Sequence, residues 1–239
     1  MTFASAPPHP AASARRPQAG PPLLAPALVF AVLTVAYVVV NRSTPHPDAS
    51  GLAVLHYARG HGTAIKLGSF LLFASAVPLA LCSAVLYRRL RALGITAPGS
   101  AITLVGGVLA GCALTASAMF AWSGGHLSTD ASGPLARALA DLSFLSGGPA
   151  YAVMYALFIA GISVTGLLAG LLPRAVTWTG LVLAAVGMVA ELTLLASGFS
   201  YLLPVVRFGG TVWLVFVAAL LPRTRPRTTP AGRAQPATS

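Results

Sequence analysis

The chain has 239 residues, of which 56% are hydrophobic and only 8% are charged. A soluble domain carries about 25% charged residues, so this composition excludes a water-soluble globular fold. The net charge of +11 does not indicate a nucleic-acid partner, because the basic residues cluster beside apolar stretches, as membrane insertion produces. Composition therefore predicts an integral membrane protein with the lipid bilayer as its partner and no nucleic acid.

Six apolar stretches approach the length of about 20 residues with which a helix crosses a bilayer. They are Leu23–Val40, Ile65–Tyr87, Ala101–Trp122, Ala150–Leu172, Ala175–Ala196 and Tyr201–Leu221. The predicted fold class is all-α, a polytopic transmembrane helix bundle with short amphipathic helices in its outer loops. The predicted domains are a disordered Pro/Ala-rich tail over 1–21, a six-helix transmembrane domain over 22–222 and a disordered basic tail over 223–239.

The first stretch is preceded by Arg15 and Arg16 and resembles a secretory signal. It ends in Val-Val-Val-Asn41-Arg42, without the small residues that a cleavage site needs. We therefore expect a retained first transmembrane helix.

Six spans would put both termini on one side of the membrane. Most basic residues then share that side, namely Arg15, Arg16, Arg88, Arg89, Arg91, Arg174, Arg223, Arg225, Arg227 and Arg233. Because cytoplasmic loops are enriched in Lys and Arg, we expect a bacterial cytoplasmic membrane protein with both termini inside.

Two outer loops, over 41–64 and 123–149, are longer than simple turns. In the second, leucines recur at helical spacing, and Arg137 and Asp141 are four residues apart. This pattern predicts an amphipathic helix at the outer surface, which either packs on the bundle as a cap or has a gating or partner role.

Two pairs of glycines four residues apart lie in the third and fourth spans: Gly107 with Gly111, and Gly166 with Gly170. Such pairs let helix backbones approach closely. We interpret them first as packing contacts within the bundle, and second as contacts with another membrane protein or a second copy of the chain.

Glu191 and Arg207 are each eight residues from Phe199, in the short turn between the last two spans. Charged groups in hydrocarbon are costly and usually pair or mark a functional site. We expect a buried ion pair that fixes the two helices. The alternative is an outward-facing polar cavity in which Glu191 takes up a cation or proton.

No established catalytic, metal or cofactor pattern stands out, so we name no catalytic residue and expect no metal or cofactor. His56, His61 and His126 fall on the outer side, but a metal needs three or four converging ligands, and no Gly-x-Ser-x-Gly or phosphate-binding loop is present. An enzyme is disfavoured on these grounds.

Three segments have a familiar pattern: the stretch Leu71–Ala80 with Arg89–Gly99 after it, Gly147-Gly148-Pro149, and the ending Leu202–Gly210 with Leu220–Arg223. Together they resemble a domain-of-unknown-function family, the uncharacterised small six-helix membrane proteins of high-GC bacteria. The resemblance implies a membrane-helix fold and brings no activity. Three function classes therefore remain open: an accessory or structural membrane protein, a small transporter or channel, and a membrane enzyme acting on a lipid-soluble substrate.

Overall fold

The computed structural model describes residues 22–222, and it is helical in that range, without a β-strand. The α-helices are α1 (Leu24–Val40), α2 (Gly51–Gly60), α3 (Gly62–Ala92), α4 (Gly99–Gly124), α5 (Gly133–Leu145), α6 (Tyr151–Leu168), α7 (Arg174–Val189), α8 (Leu202–Pro204) and α9 (Gly210–Leu220). Tighter or wider helical turns connect some of them: π turns over Ser146–Ala150 and Val205–Gly209, and 3-10 turns over Ala190–Leu194 and Ser197–Tyr201. The two tails predicted to be disordered lie outside the described residues.

Five helical stretches in the described region are long and apolar enough to cross a membrane: Gly62–Ala92, Gly99–Gly124, Gly133–Leu168, Arg174–Leu194 and Ser197–Leu220. The prediction of an all-helical membrane bundle is confirmed. The first predicted span is α1, an apolar helix of 17 residues, which is about 25 Å long at 1.5 Å per residue.

The side of the bundle that faces away from its core is apolar. Leu168 is 80% exposed, Phe70 66% and Val32 65%. Water-soluble proteins rarely expose continuous apolar surface on this scale, whereas lipid is a suitable solvent for it.

The long helices form a closed ring of neighbours. In chain order α1 packs on α3, α3 on α4, α4 on α6, α6 on α7 and α7 on α9, and α9 returns to α1. Stacked aromatic rings of α6 lie in the core, with the Tyr151 and Tyr155 centroids 5.2 Å apart and those of Tyr155 and Phe158 5.5 Å apart.

Close contact between α4 and α6 depends on glycines. A Cβ on Gly106 would lie 2.4 Å from the backbone nitrogen of Phe158, and one on Gly161 would lie 2.7 Å from that of Thr103. Gly107, which was predicted to pack, also lies in a close contact, since its Cβ would be 1.8 Å from Oγ of Ser83. Gly111 has more room, with 3.6 Å to the nearest atom, the carbonyl oxygen of Ala76.

The second predicted glycine pair divides between two roles. Gly166 packs inside the bundle, because a Cβ there would lie 3.2 Å from Leu172 and Thr177. The prediction of packing within the bundle is wrong for Gly170, where a Cβ would have no neighbour within 4 Å. Gly170 ends α6 with φ +61°, and the N–H of Leu171 bonds to the oxygen of Gly166. This Schellman motif requires a left-handed residue, which glycine adopts without strain.

The predicted amphipathic outer helix is present as α5, with the Arg137–Asp141 ion pair. It is not separate from the fourth span, because the chain is helical without interruption from Gly133 to Leu168. Pro149 lacks a backbone N–H and would interrupt a regular α-helix. The π turn over Ser146–Ala150 contains Pro149 and lets the helix continue.

Two alanine substitutions in α4 test the glycine contacts. Gly106→Ala places a methyl group against the backbone of α6, and we expect it to lower the free energy of unfolding by about 1–3 kcal/mol. Gly111→Ala has room for the methyl group, and we expect it to be neutral or slightly stabilising, since alanine favours helix. SDS-induced unfolding in mixed micelles measures both. Equal losses at the two positions would contradict the packing described above.

Candidate functional site: a capped cavity

One end of the bundle is covered by α2, α5 and the loops over 41–50 and 125–132, which together we call the cap. The two helices touch where they begin, since a Cβ on Gly51 would lie 2.7 Å from the carbonyl oxygen of Gly133. Arg59 donates to the carbonyl oxygen of Thr129 at 2.7 Å, and Arg137 donates to that of Ala49. Both arginines therefore tie the helices of the cap to its loops.

Beneath the cap lies a cavity of about 460 Å³. Its lining is mostly apolar and comes from α1, α3, α4, the cap, the segment from Gly147 to Tyr151 and the start of the last span. The lining residues include Tyr37, Ile65, Phe120, Ala121, Ala140, Phe144, Leu203 and Phe208. The polar groups at its wall include Ser117, Ser143, Tyr151, Arg207 and the Arg137–Asp141 pair. An apolar pocket with a few polar groups is the usual form of a small-molecule site.

Arg207 is held where two π turns meet. It lies in the turn Val205–Gly209, and one of its N–H groups donates to the carbonyl oxygen of Gly147 in the turn Ser146–Ala150. In a regular α-helix, that oxygen would accept the N–H of Tyr151. Here the N–H of Tyr151 bonds to the oxygens of Ser146 and Gly148 instead, which leaves the Gly147 oxygen for the guanidinium.

Two tyrosine rings also contact the guanidinium. Its central carbon lies 5.7 Å from the ring centroid of Tyr37 and 5.2 Å from that of Tyr151. Both distances are within the range of cation–π attraction. Gly147 also lets α4 pack closely on this turn, because a Cβ there would lie 2.4 Å from Oγ of Ser117.

The predicted Glu191–Arg207 ion pair is not formed. Across residues 22–222 the ion pairs are His46–Asp48 and Arg137–Asp141. Glu191 is exposed in the 3-10 turn that follows α7, and it is not part of the cavity lining. The physical reason is helix geometry: 3-10 and π turns change the rotation per residue, so equal spacing from Phe199 no longer brings the two side chains to facing surfaces.

Ser117 and Ser143 form hydrogen bonds with each other at the cavity wall. Each hydroxyl donates to the carbonyl oxygen of the other residue, at 2.8 Å from Ser117 and 3.0 Å from Ser143. The Tyr151 hydroxyl differs, because it is buried and has no hydrogen-bond partner in the part of the chain that the structure describes. Buried polar groups rarely stay unpaired, so this hydroxyl is a candidate for binding a ligand.

The outer histidines take separate positions. His61 stacks on Tyr57 with centroids 4.4 Å apart, and His126 stacks on Trp122 at 3.7 Å. His56 is exposed on α2. They do not converge on one site.

Sequence reasoning found Arg207 but missed its surroundings. The signal for Gly147 was present, since Gly147-Gly148-Pro149 combines a helix-breaking residue with two small ones. Nothing in the sequence pairs Tyr37 with Tyr151, because they are more than a hundred residues apart and meet only through the packing of the bundle.

No family model, curated protein or solved structure matches this chain.

A double-mutant cycle tests the separation of Glu191 from Arg207. If the two side chains do not interact, the effects of Glu191→Gln and Arg207→Met on the free energy of unfolding should add within about 0.5 kcal/mol. SDS-induced unfolding of the wild type, both single variants and the double variant gives the coupling energy. A coupling of about 1 kcal/mol or more would restore the ion pair.

Proposed function

We propose that this chain is a multi-pass membrane protein that binds an amphipathic small molecule in the cavity beneath its cap. The observation that carries the proposal is the cavity itself: about 460 Å³ of mostly apolar space with Arg207 and Tyr151 at its wall. Small-molecule pockets commonly measure about 300–1,000 Å³ and bury most of the ligand against apolar side chains.

The other two function classes have less support. A buried Glu191–Arg207 pair would have favoured the accessory or structural protein, and that pair is absent from the described residues. The transporter hypothesis relied on a cavity at Glu191, whereas the cavity is lined by Arg207. A pocket with converging polar groups is the feature expected for a protein that acts on or binds a lipid-soluble molecule.

The charge distribution supports a membrane orientation. The described residues at the end opposite the cap include Arg88, Arg89, Arg91 and Arg174, and all four acidic residues of the chain lie at the cap end. Under the positive-inside rule, we propose that the cap faces outward from a bacterial cytoplasmic membrane and that both termini are cytoplasmic. Membership of the six-helix family of high-GC bacteria belongs to the same proposal. The three sequence segments named for the resemblance support it, and the Ala-, Arg-, Pro- and Gly-rich composition fits a high-GC genome.

Photolabelling tests ligand binding. A hexadecyl probe with a mid-chain diazirine, carrying either a carboxylate or a hydroxyl head, is added to the protein in lipid nanodiscs and irradiated. We expect at least one probe to label peptides that contain Phe120 or Phe144, both of which line the cavity.

Two tryptophan substitutions on α5 provide the matched comparison. Ala140 lines the cavity, so Ala140→Trp should fill part of it and reduce labelling several-fold. Ala138 is exposed and lies outside the lining, so Ala138→Trp should label like the wild type. Absence of cavity labelling by both probes, or equal labelling of the two variants, would refute the proposal.

A further inference from the structure

The charges around the cavity do not cancel. The charged side chains in its lining are Arg137, Asp141 and Arg207. Arg137 is neutralised by Asp141, with Nε 2.8 Å from a carboxylate oxygen. His46, which also lines the cavity, faces Asp48 in the exposed loop at 3.1 Å. Arg207 is thus the remaining cation, and no acidic residue within 22–222 pairs with it.

The contacts of Arg207 leave it able to bind an anion. A guanidinium carries several N–H donors in a planar fork that suits a carboxylate. The described chain accepts one hydrogen bond from this group, at the Gly147 oxygen, and otherwise offers it two aromatic faces. An aromatic face attracts a cation without using its donors, so donors remain for a ligand.

Tyr151 provides an independent second observation. Its ring lies against the guanidinium, its side chain lines the cavity, and it is only 2% exposed. Its hydroxyl has no partner among the described residues. A ligand oxygen beside Arg207 would satisfy a hydroxyl donor that the protein leaves unpaired.

On the basis of the function proposed above, we propose that the ligand is an amphipathic monoanion: an apolar chain or ring system with one carboxylate, which pairs with Arg207 and accepts a hydrogen bond from Tyr151. A single uncompensated positive charge matches one carboxylate better than a doubly charged phosphate monoester. The largely apolar lining matches the remainder of such a molecule. The cavity volume suits a drug-sized ligand rather than a whole two-chain phospholipid.

The test compares three probes that share the same alkyl tail and differ in their head group. Hexadecyl diazirine probes with a carboxylate, a hydroxyl or a phosphate head are applied to the full-length protein in nanodiscs at alkaline pH, where the carboxylate is ionised. Charge-assisted hydrogen bonds are roughly twice as strong as those between neutral groups, so we expect the carboxylate probe to label the cavity about tenfold more efficiently than the alcohol. The phosphate probe should label less than the carboxylate probe.

Three variants assign the preference to its residues. Arg207→Gln should reduce the ratio of carboxylate to alcohol labelling to about one. Arg42→Gln is the matched control, because Arg42 is exposed at the same end of the bundle and does not line the cavity, and it should keep the wild-type ratio. Tyr151→Phe retains the ring below the guanidinium and removes only the hydroxyl, and it should lower carboxylate labelling a few-fold.

The outcomes separate the two proposals. Labelling of the cavity by the alcohol probe in Arg207→Gln shows that the variant is folded and that the cavity still binds, so a ratio unchanged from wild type would overturn the carboxylate site alone. Stronger labelling by the phosphate probe, or an equal loss of preference in Arg42→Gln, would also overturn it. Absence of labelling by every probe in the wild type would overturn the binding function itself.

Discussion

A guanidinium inside an apolar helix bundle needs hydrogen-bond acceptors, and among residues 22–222 the backbone provides one for Arg207 where side chains do not. A regular α-helix uses its interior carbonyl oxygens for its own ladder. The π turn around Pro149 redirects the N–H of Tyr151 to Ser146 and Gly148, so that the Gly147 oxygen can accept from Arg207. The position of the last span relative to the fourth is therefore tied to a local irregularity in each of them, which agrees with the frequent occurrence of π turns at functional sites.

The cap lies over the cavity that contains this cation, and specific contacts hold it there. Arg59 and Arg137 both donate to backbone oxygens of the loops at this end of the bundle, and Gly51 and Gly133 let α2 and α5 meet closely. Arg137 is also neutralised by Asp141, so within residues 22–222 the cap adds no second unpaired positive charge to the cavity lining.

Hydrophobic pattern was sufficient to predict the helices, because a span must be about 20 apolar residues long whatever it packs against. The amphipathic helix of residues 133–145 was also predictable, since the leucine spacing and the Arg137–Asp141 pair are local. Rotation was not. Glu191 and Arg207 have equal spacing from Phe199, but a 3-10 turn after α7 and a π turn around Arg207 aim them differently. The glycines show the same limit. Gly106 and Gly161, which belong to neither predicted pair, make the backbone contacts between α4 and α6, whereas Gly170, which does belong to one, ends a helix.

The absence of an acidic partner for Arg207 within the described region has an energetic consequence. Burying a charge with partial compensation costs stability, and the hydrogen bond to Gly147 with two aromatic faces offsets only part of that cost. A ligand that binds the folded protein and not the unfolded chain adds stability of RT ln(1 + [L]/Kd), where [L] is the free ligand concentration. An anion at Arg207 would contribute in this way while also satisfying the Tyr151 hydroxyl. A partly buried cation beside an unpaired hydroxyl would therefore make the site selective, because a neutral molecule of the same shape would leave the charge of Arg207 without a counter-ion.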